Sequence, residues 1–238
     1  MNDGQTEISR KKNAQFFLEE HADYKKKIEG IDSYKAMSLA LNQQLYGMNK
    51  VLDIGNGGVF DYDTKLVSEI VGLDLFLDDL PKELVLPTNV QMVQGSALDI
   101  PNQLIGFDAV LMVMLIHHLV GETVSICEAN VRKSFSEAYK VISPGGKLIV
   151  MDSCVPFWFY IFEKTVFRLA AWLISRLIKH PPVLQYTSDA VIQMMSESGF
   201  SRIESIVIPK GRYILQFGIK FPAWLTPTQP TLFIGHKD

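Results

Sequence analysis

The residues best suited to hold a ligand lie in Val51-Leu52-Asp53-Ile54-Gly55-Asn56-Gly57-Gly58, an apolar run that carries an acid and ends in a glycine cluster. Glycines permit a sharp turn and close approach of backbone to a ligand. A dinucleotide wants G-x-G-x-x-G, so that its pyrophosphate can rest on a helix N-terminus. Gly55 and Gly57 fit the first two positions, but Phe60 holds the third. Asp53 would also repel a pyrophosphate, whereas a ligand with a positive amine would be drawn to it. Asp74, in Gly72-Leu73-Asp74, lies 21 residues beyond Asp53. An acid at that place can accept both hydroxyls of a ribose. A third stretch, Gln94-Gly95-Ser96-Ala97-Leu98-Asp99-Ile100-Pro101, would lie beside an adenine ring in the same geometry. Together these residues describe a nucleoside site with a cationic tail.

Such a site needs strands to carry it. Short apolar runs recur at Lys50–Ile54, Ile70–Leu75, Val90–Gln94, Phe107–Val113 and Lys147–Met151. They lack strict alternation, as strands buried on both faces do. A helix is predicted over Thr123–Val141, and Ser143-Pro144-Gly145-Gly146 is a strong turn signal. A further helix is predicted over Ser188–Ser198, capped by Gly199, then strands at Ile203–Ile208 and Thr231–Ile234. Strand–helix–strand order argues for a parallel sheet with helices on both sides, closed by a late antiparallel pair. Residues 8–47 read as two helices. The first carries Phe16, Phe17, Leu18, His21, Tyr24 and Ile28 at helical spacing, and the second runs from Tyr34 to Leu45. They pack on the sheet, cover a binding site, or do both.

The ordered set of motifs resembles the class I S-adenosylmethionine-dependent methyltransferases of the small-molecule type, including the ubiquinone, menaquinone and natural-product enzymes. The family pattern runs D-x-G-x-G-x-G, an acid after the second strand, an acid-bearing loop after the third, F-D-x-V, a His-containing stretch and P-G-G. This chain has Asp53, Gly55, Gly57, Asp74, Phe107-Asp108-Ala109-Val110, His117-His118 and Pro144-Gly145-Gly146 in that order. The likeness covers residues 13–152 well and Ser188–Ile234 more loosely. It implies an α/β fold: a doubly wound, seven-stranded, mostly parallel, Rossmann-like sheet with an N-terminal helical cover. One domain is expected over 1–238, divided into a cover (1–47), a cofactor-binding core (48–152), an apolar lid insertion (153–187) and a C-terminal core (188–238). The implied cofactor is S-adenosylmethionine, with S-adenosylhomocysteine as product and no metal. Asp53 would hold the methionine end, Gly55, Asn56 and Gly57 would give backbone access, and Asp74 would bind the ribose. Leu75, Gly95, Ser96, Ala97 and Met112 would line the adenine and methionine pockets, under a cover that includes Tyr24. Val59 stands where the third family glycine is usual, with Gly58 one place early. Ser96 stands where many relatives carry an acid, so Ser96, the backbone of Ala97 or Asp99 would meet the adenine amine. Asp61, Tyr62 and Asp63 interrupt the helix expected after the turn. Asp61 and Asp63 read as solvated loop acids.

Methyl transfer asks the protein chiefly to align the acceptor and strip away water. If the acceptor is a hydroxyl, a base helps, and histidine is tuned for that near neutral pH. Leu115-Ile116-His117-His118-Leu119 follows the fourth strand. Relatives with such a pair are read as using one His as base, oriented by an acid after the fifth strand, here Asp152, and His118 is taken ahead of His117 for that part. The alternative is that a His merely shapes the pocket. His21, His180 and His236 are scattered, which disfavours a metal.

Val155–Ile178 is strongly apolar, yet it contains Glu163, Lys164, Arg168 and Arg176, which a membrane span would bury at great cost. Phe159, Phe162, Val166, Leu169, Leu173 and Leu177 approximate a stripe, but Phe157, Trp158, Ile161 and Trp172 make the other side apolar too. The segment is read as a lid over an apolar acceptor pocket, with Trp158, Phe162 and Tyr186 against the acceptor. A homodimer or core helix is an alternative. So is membrane-surface contact, with Lys164, Arg168 and Arg176 snorkelling. Lys210, Arg212 and Tyr213 read as solvated loop residues.

Composition bounds the rest. Of the 238 residues, 47% are hydrophobic and 21% charged, which describes a globular chain. A net charge of −3 is a poor footprint for nucleic acid. Cys127 and Cys154 suit a reducing compartment. Met1–Asn13 is polar and has no apolar run like that of a signal peptide, so the expected location is cytoplasmic. The expected function is methyl transfer to a small, largely apolar acceptor, oxygen first, then a ring carbon or nitrogen. The alternative from another class is a cofactor-binding subunit without transfer activity.

Overall fold

The computed structural model describes residues 31–77, 85–177, 182–216 and 219–238, with the backbone alone at 168–177, 216 and 219. The expected first helix and Tyr24 lie outside the described residues, as do the side chains of Arg168, Leu169, Trp172, Leu173, Arg176 and Leu177. The described chain opens with helix α1 (Asp32–Leu45), then β1 (Lys50–Ile54), β2 (Glu69–Asp74), β3 (Val90–Gln94) and β4 (Phe107–Val113). Next come α2 (Val124–Val141), β5 (Ile142–Cys154), α3 (Phe157–Leu177) and α4 (Ser188–Glu197). The chain closes with β6 (Ser201–Val207), a hairpin of β7 (Tyr213–Gln216) and β8 (Ile219–Pro222), and β9 (Gln229–His236).

Seven strands form one sheet in the order β3-β2-β1-β4-β5-β9-β6. The first five are parallel, and β9 runs antiparallel to both β5 and β6. This is the doubly wound, mostly parallel sheet that the run order predicts. Its two faces explain why the strands lack strict alternation. Leu52, Ile54, Val110, Met112, Leu148 and Val150 face one core, with α2 and α4. Val51, Ala109, Leu111, Ile149 and Met151 face the other, against Met37, Leu41 and Leu45 of α1. Those three α1 residues recur every fourth position and bury one stripe of the helix.

Several local features set the site. Asp108 Oδ2 accepts from the Asn49 and Lys50 amides at 2.8 and 3.0 Å, fixing where β1 begins. Ser143–Gly146 does not precede β5 but bulges from it: the pairing steps from Phe107↔Ile142 to Ala109↔Lys147. β1 and β2 are joined without an α-helix, through a short 3-10 turn at Thr64–Leu66 that Asp63 caps by accepting from the Lys65 amide. Tyr62, which interrupts the expected helix, is instead only 6% exposed and packs under the sheet. The β7–β8 hairpin was not foreseen, and Tyr213, expected in a loop, begins it, with Lys220 Nζ 4.7 Å above its ring.

α3 is apolar all round, so its period alone does not fix which side faces in. Tyr160 and Phe167 are buried, and Phe159 packs on the same core as α2 and α4. Trp158 and Phe162, expected on the pocket side, are 66% and 56% exposed and lie with Phe157 and Ile161 on the outer side. Lys164 does not reach outward as a snorkelling residue would: its Nζ donates to Glu128 Oε1 on α2 at 2.9 Å. No described helix is long and apolar enough to cross a membrane.

Candidate functional site

The carboxyl ends of β1, β2 and β4 sit side by side, because Asp53 is in register with Gly72 and Leu111, and Ile54 with Leu73 and Met112. The glycine turn leaves β1 there. Gly55, Gly57 and Gly58 have φ of 76°, 56° and 76°, so each adopts the left-handed conformation that favours glycine. A Cβ on Gly57 would meet nothing within 4 Å, so the turn borders open space. A Cβ on Gly55 would come within 2.7 Å of Leu115 Cδ1, so this glycine lets the chain after β4 pack against the turn.

Two acids border this turn. Asp53 is 2% exposed, and its Oδ2 accepts from Asn56 Nδ2 and from the Tyr62 hydroxyl, both at 2.9 Å. Its Oδ1 is buried with no partner among the described residues. Burial pushes this carboxyl up from 3.8 to about 7, against the lowering pull of Asn56 and Tyr62. A buried oxygen without a donor is costly, and a ligand's ammonium would satisfy it. Asp74 Oδ2 accepts from the Gly57 amide and Oδ1 from the Phe76 amide, each at 2.9 Å. Two backbone donors hold this carboxylate in place, and each oxygen keeps a lone pair for a hydroxyl. Leu75, beside it, is 36% exposed.

The loop after β3 starts with the Gly95 amide donating to Asp74 O at 2.9 Å. Ser96 Oγ accepts from the Leu98 amide and the Asp99 amide donates to Ser96 O, so Ser96 shapes its own turn. Ala97 packs against the core, Asp99 is exposed and Met112 is fully buried at the end of β4.

The His pair sits one turn beyond β4. Met114, at φ 51°, bends the chain, held by its amide donating to Met151 O at 2.7 Å. A non-glycine residue in that conformation is strained, and such strain is often stored near functional sites. A 3-10 turn, Ile116–His118, follows. His117 Nδ1 is 2.6 Å from Asp152 Oδ1, and Asp152 is buried at the end of β5. Asp152 also accepts from the Ile116 and Ser153 amides, at 3.0 and 2.6 Å. A carboxylate only accepts, so Nδ1 carries the hydrogen, and in the neutral ring Nε2 is left with the lone pair. The His118 ring lies 4.1 Å from that of His117, tilted by 43°. Tyr186 is 2% exposed, and its carbonyl accepts from the Val155 amide just after β5.

Tyr62, through its bond to Asp53, and Glu163, a half-buried acid of α3, were not singled out from the sequence. Each carried a signal: an aromatic residue between two loop acids, and an acid within an apolar helix.

Residues 52–150 match the family model described as a methyltransferase domain. A curated relative, the demethylmenaquinone methyltransferase of Symbiobacterium thermophilum, is 24% identical over 143 residues, 53% of each chain. The chain thus spans about half the length of that relative. Among solved structures, a protein from Haloferax volcanii in complex with the Trm112 methyltransferase activator aligns at a TM-score of 0.62 and 13% identity, over 92% of this chain and 96% of that one. Human N-acetylserotonin methyltransferase, solved with S-adenosylmethionine, aligns at 0.55 and 13%, over 87% of this chain and 52% of that one. Residues 52–150 are thus similar to methyltransferase domains, and the fold is similar to that of solved S-adenosylmethionine-dependent methyltransferases. The Asp53 carboxyl with a buried oxygen that lacks a partner among the described residues, the Gly57 turn bordering open space and the Asp74 carboxylate held by two amides are the groups that would meet that cofactor's amine, methionine chain and ribose.

Proposed function

We propose that the chain moves a methyl group from S-adenosylmethionine to an oxygen of a small, largely apolar molecule. The observation that carries this reading is the His117–Asp152 pair at 2.6 Å, on a turn whose Leu115 packs against Gly55 of the glycine turn. The cofactor supplies an electrophilic methyl on a sulfonium. Asp53 would hold the amine and Asp74 the ribose. Asp152 keeps His117 in one tautomer and offsets the charge the ring gains on taking a proton. His117 Nε2 is the atom that would accept the acceptor's hydroxyl proton. The inner side of α3 would exclude water, with Phe159 and Tyr160 facing the core. Trp158 and Phe162, on the outer side, would then reach an acceptor only after movement of α3. The quinone-related name of the curated relative is compatible with an apolar acceptor of this kind.

The test is turnover with labelled S-adenosylmethionine and a pool of phenols and hydroquinones, read by mass spectrometry. His117→Asn should lower kcat by about 10²- to 10⁴-fold while S-adenosylhomocysteine still binds. Cofactor binding with no transfer to any member would favour a binding subunit instead.

A further inference from the structure

Glu163 is the acid that the methyl-transfer reading leaves without a task. The other partly buried acids on the helices of this core are neutralised. Glu128 has Tyr160, Lys164 and Arg132, and Glu137 has Lys133 and Lys140. Glu163 has no lysine or arginine partner among the described residues. Its Oε2 accepts from the Gln185 amide at 3.3 Å, a long bond for a charged acceptor. Burial pushes its carboxyl up from 4.5 to about 7, while the Gln185 amide and, after it, His117 pull it down.

Its position is fixed by three consecutive residues. The Leu184 amide donates to His117 O at 3.0 Å, the Gln185 amide donates to Glu163, and Tyr186 O accepts from the Val155 amide at 3.0 Å. These three residues therefore tie the His turn, α3 and the chain just after β5 into a single wall. Glu163 belongs to that wall, because the amide it accepts from follows directly on the one that binds His117 O. A carboxyl served by one long bond retains accepting capacity for a further donor.

We propose that Glu163 is a specificity-determining residue of the acceptor site, taking a second hydrogen-bond donor of the acceptor while His117 takes the first. The acceptor class is then an aromatic or similarly apolar molecule with two polar hydrogens rather than one. This rests on the methyl-transfer reading for which hydroxyl reacts, but the binding preference can be read without transfer.

The experiment measures binding of two dihydroxynaphthalenes (the 2,3- and 1,4-isomers) and of 2-naphthol to full-length protein loaded with S-adenosylhomocysteine, by calorimetry. Wild type should bind at least one diol about tenfold tighter than the mono-ol. Glu163→Leu should bring that ratio within about twofold of one, and Glu163→Gln, which keeps an accepting oxygen, should fall between. If the Leu variant does not fold, judged by circular dichroism, a reduced ratio in the Gln variant carries the result. A wild type that does not discriminate, a ratio unchanged by substitution, or no binding of any naphthol overturns the assignment. Methyl transfer to the same compounds is followed in parallel. Discrimination without transfer supports Glu163 and overturns the transferase reading. Transfer without discrimination does the reverse.

Discussion

Asp53 concentrates the chemistry of the site in one carboxyl, with Tyr62 and Asn56 on one oxygen and none of the described residues on the other. Its ordinary value is 3.8 and burial lifts it to about 7. Folded protein without ligand therefore holds a proton that unfolded chain releases from about pH 4 upward. The stability this gives is complete below pH 4 and is lost as pH climbs through 7. It amounts to about 4 kcal/mol at most. Glu163, lifted to about 7, adds to the same trend. Unliganded protein should melt progressively lower between pH 5 and pH 8, and Asp53→Asn should flatten much of that slope in thermal scans. The cofactor's amine favours the charged carboxylate, so its binding below pH 7 should release about one proton. Calorimetry at pH 6 in buffers of different ionisation enthalpy reads that proton directly, and no release in wild type would mean that the amine binds elsewhere.

At the scale of elements, the turn after β1 and the turn after β4 depend on each other. Gly55 is at φ 76° with Leu115 Cδ1 in the space a methyl would need. Gly55→Ala should cost about 1–3 kcal/mol in denaturant unfolding and weaken cofactor binding, since the backbone strain remains even if Leu115 moves. Thr187 caps α4 by accepting from the Ala190 amide at 3.1 Å. Thr187→Ala should cost about 1 kcal/mol with no change in cofactor affinity. These elements were largely legible beforehand. β1, β3 and β4 begin and end where their apolar runs do, and α2 starts at its Thr123 cap. The β1–β2 connection was legible only in part, because Asp61-Tyr62-Asp63 signals a broken helix but not that Tyr62 folds back onto Asp53. The facing of α3 was not legible, since a helix apolar on every side has no period that favours one. Its inner side is set by tertiary partners, Glu128 for Tyr160 and Lys164, and the Gln185 amide for Glu163.

Across the whole molecule, the parallel sheet places the described elements of the site at the carboxyl ends of neighbouring strands. β1, β2 and β4 bring the acids and glycines together, and β5 brings Asp152 beneath His117. A ligand that binds only this assembled edge stabilises the entire chain. Cofactor at one hundred times its Kd should add about 2.7 kcal/mol, a rise in Tm of about 5–10 °C for a chain of this size. The measurement that bears most directly on the account is a calorimetric titration of S-adenosylmethionine and S-adenosylhomocysteine into wild type and Asp74→Ala. The account predicts micromolar binding of both ligands to wild type and at least about a tenfold loss in the variant, which gives up a hydrogen-bonded charge. Absence of binding to wild type, or equal binding to both proteins, would contradict it.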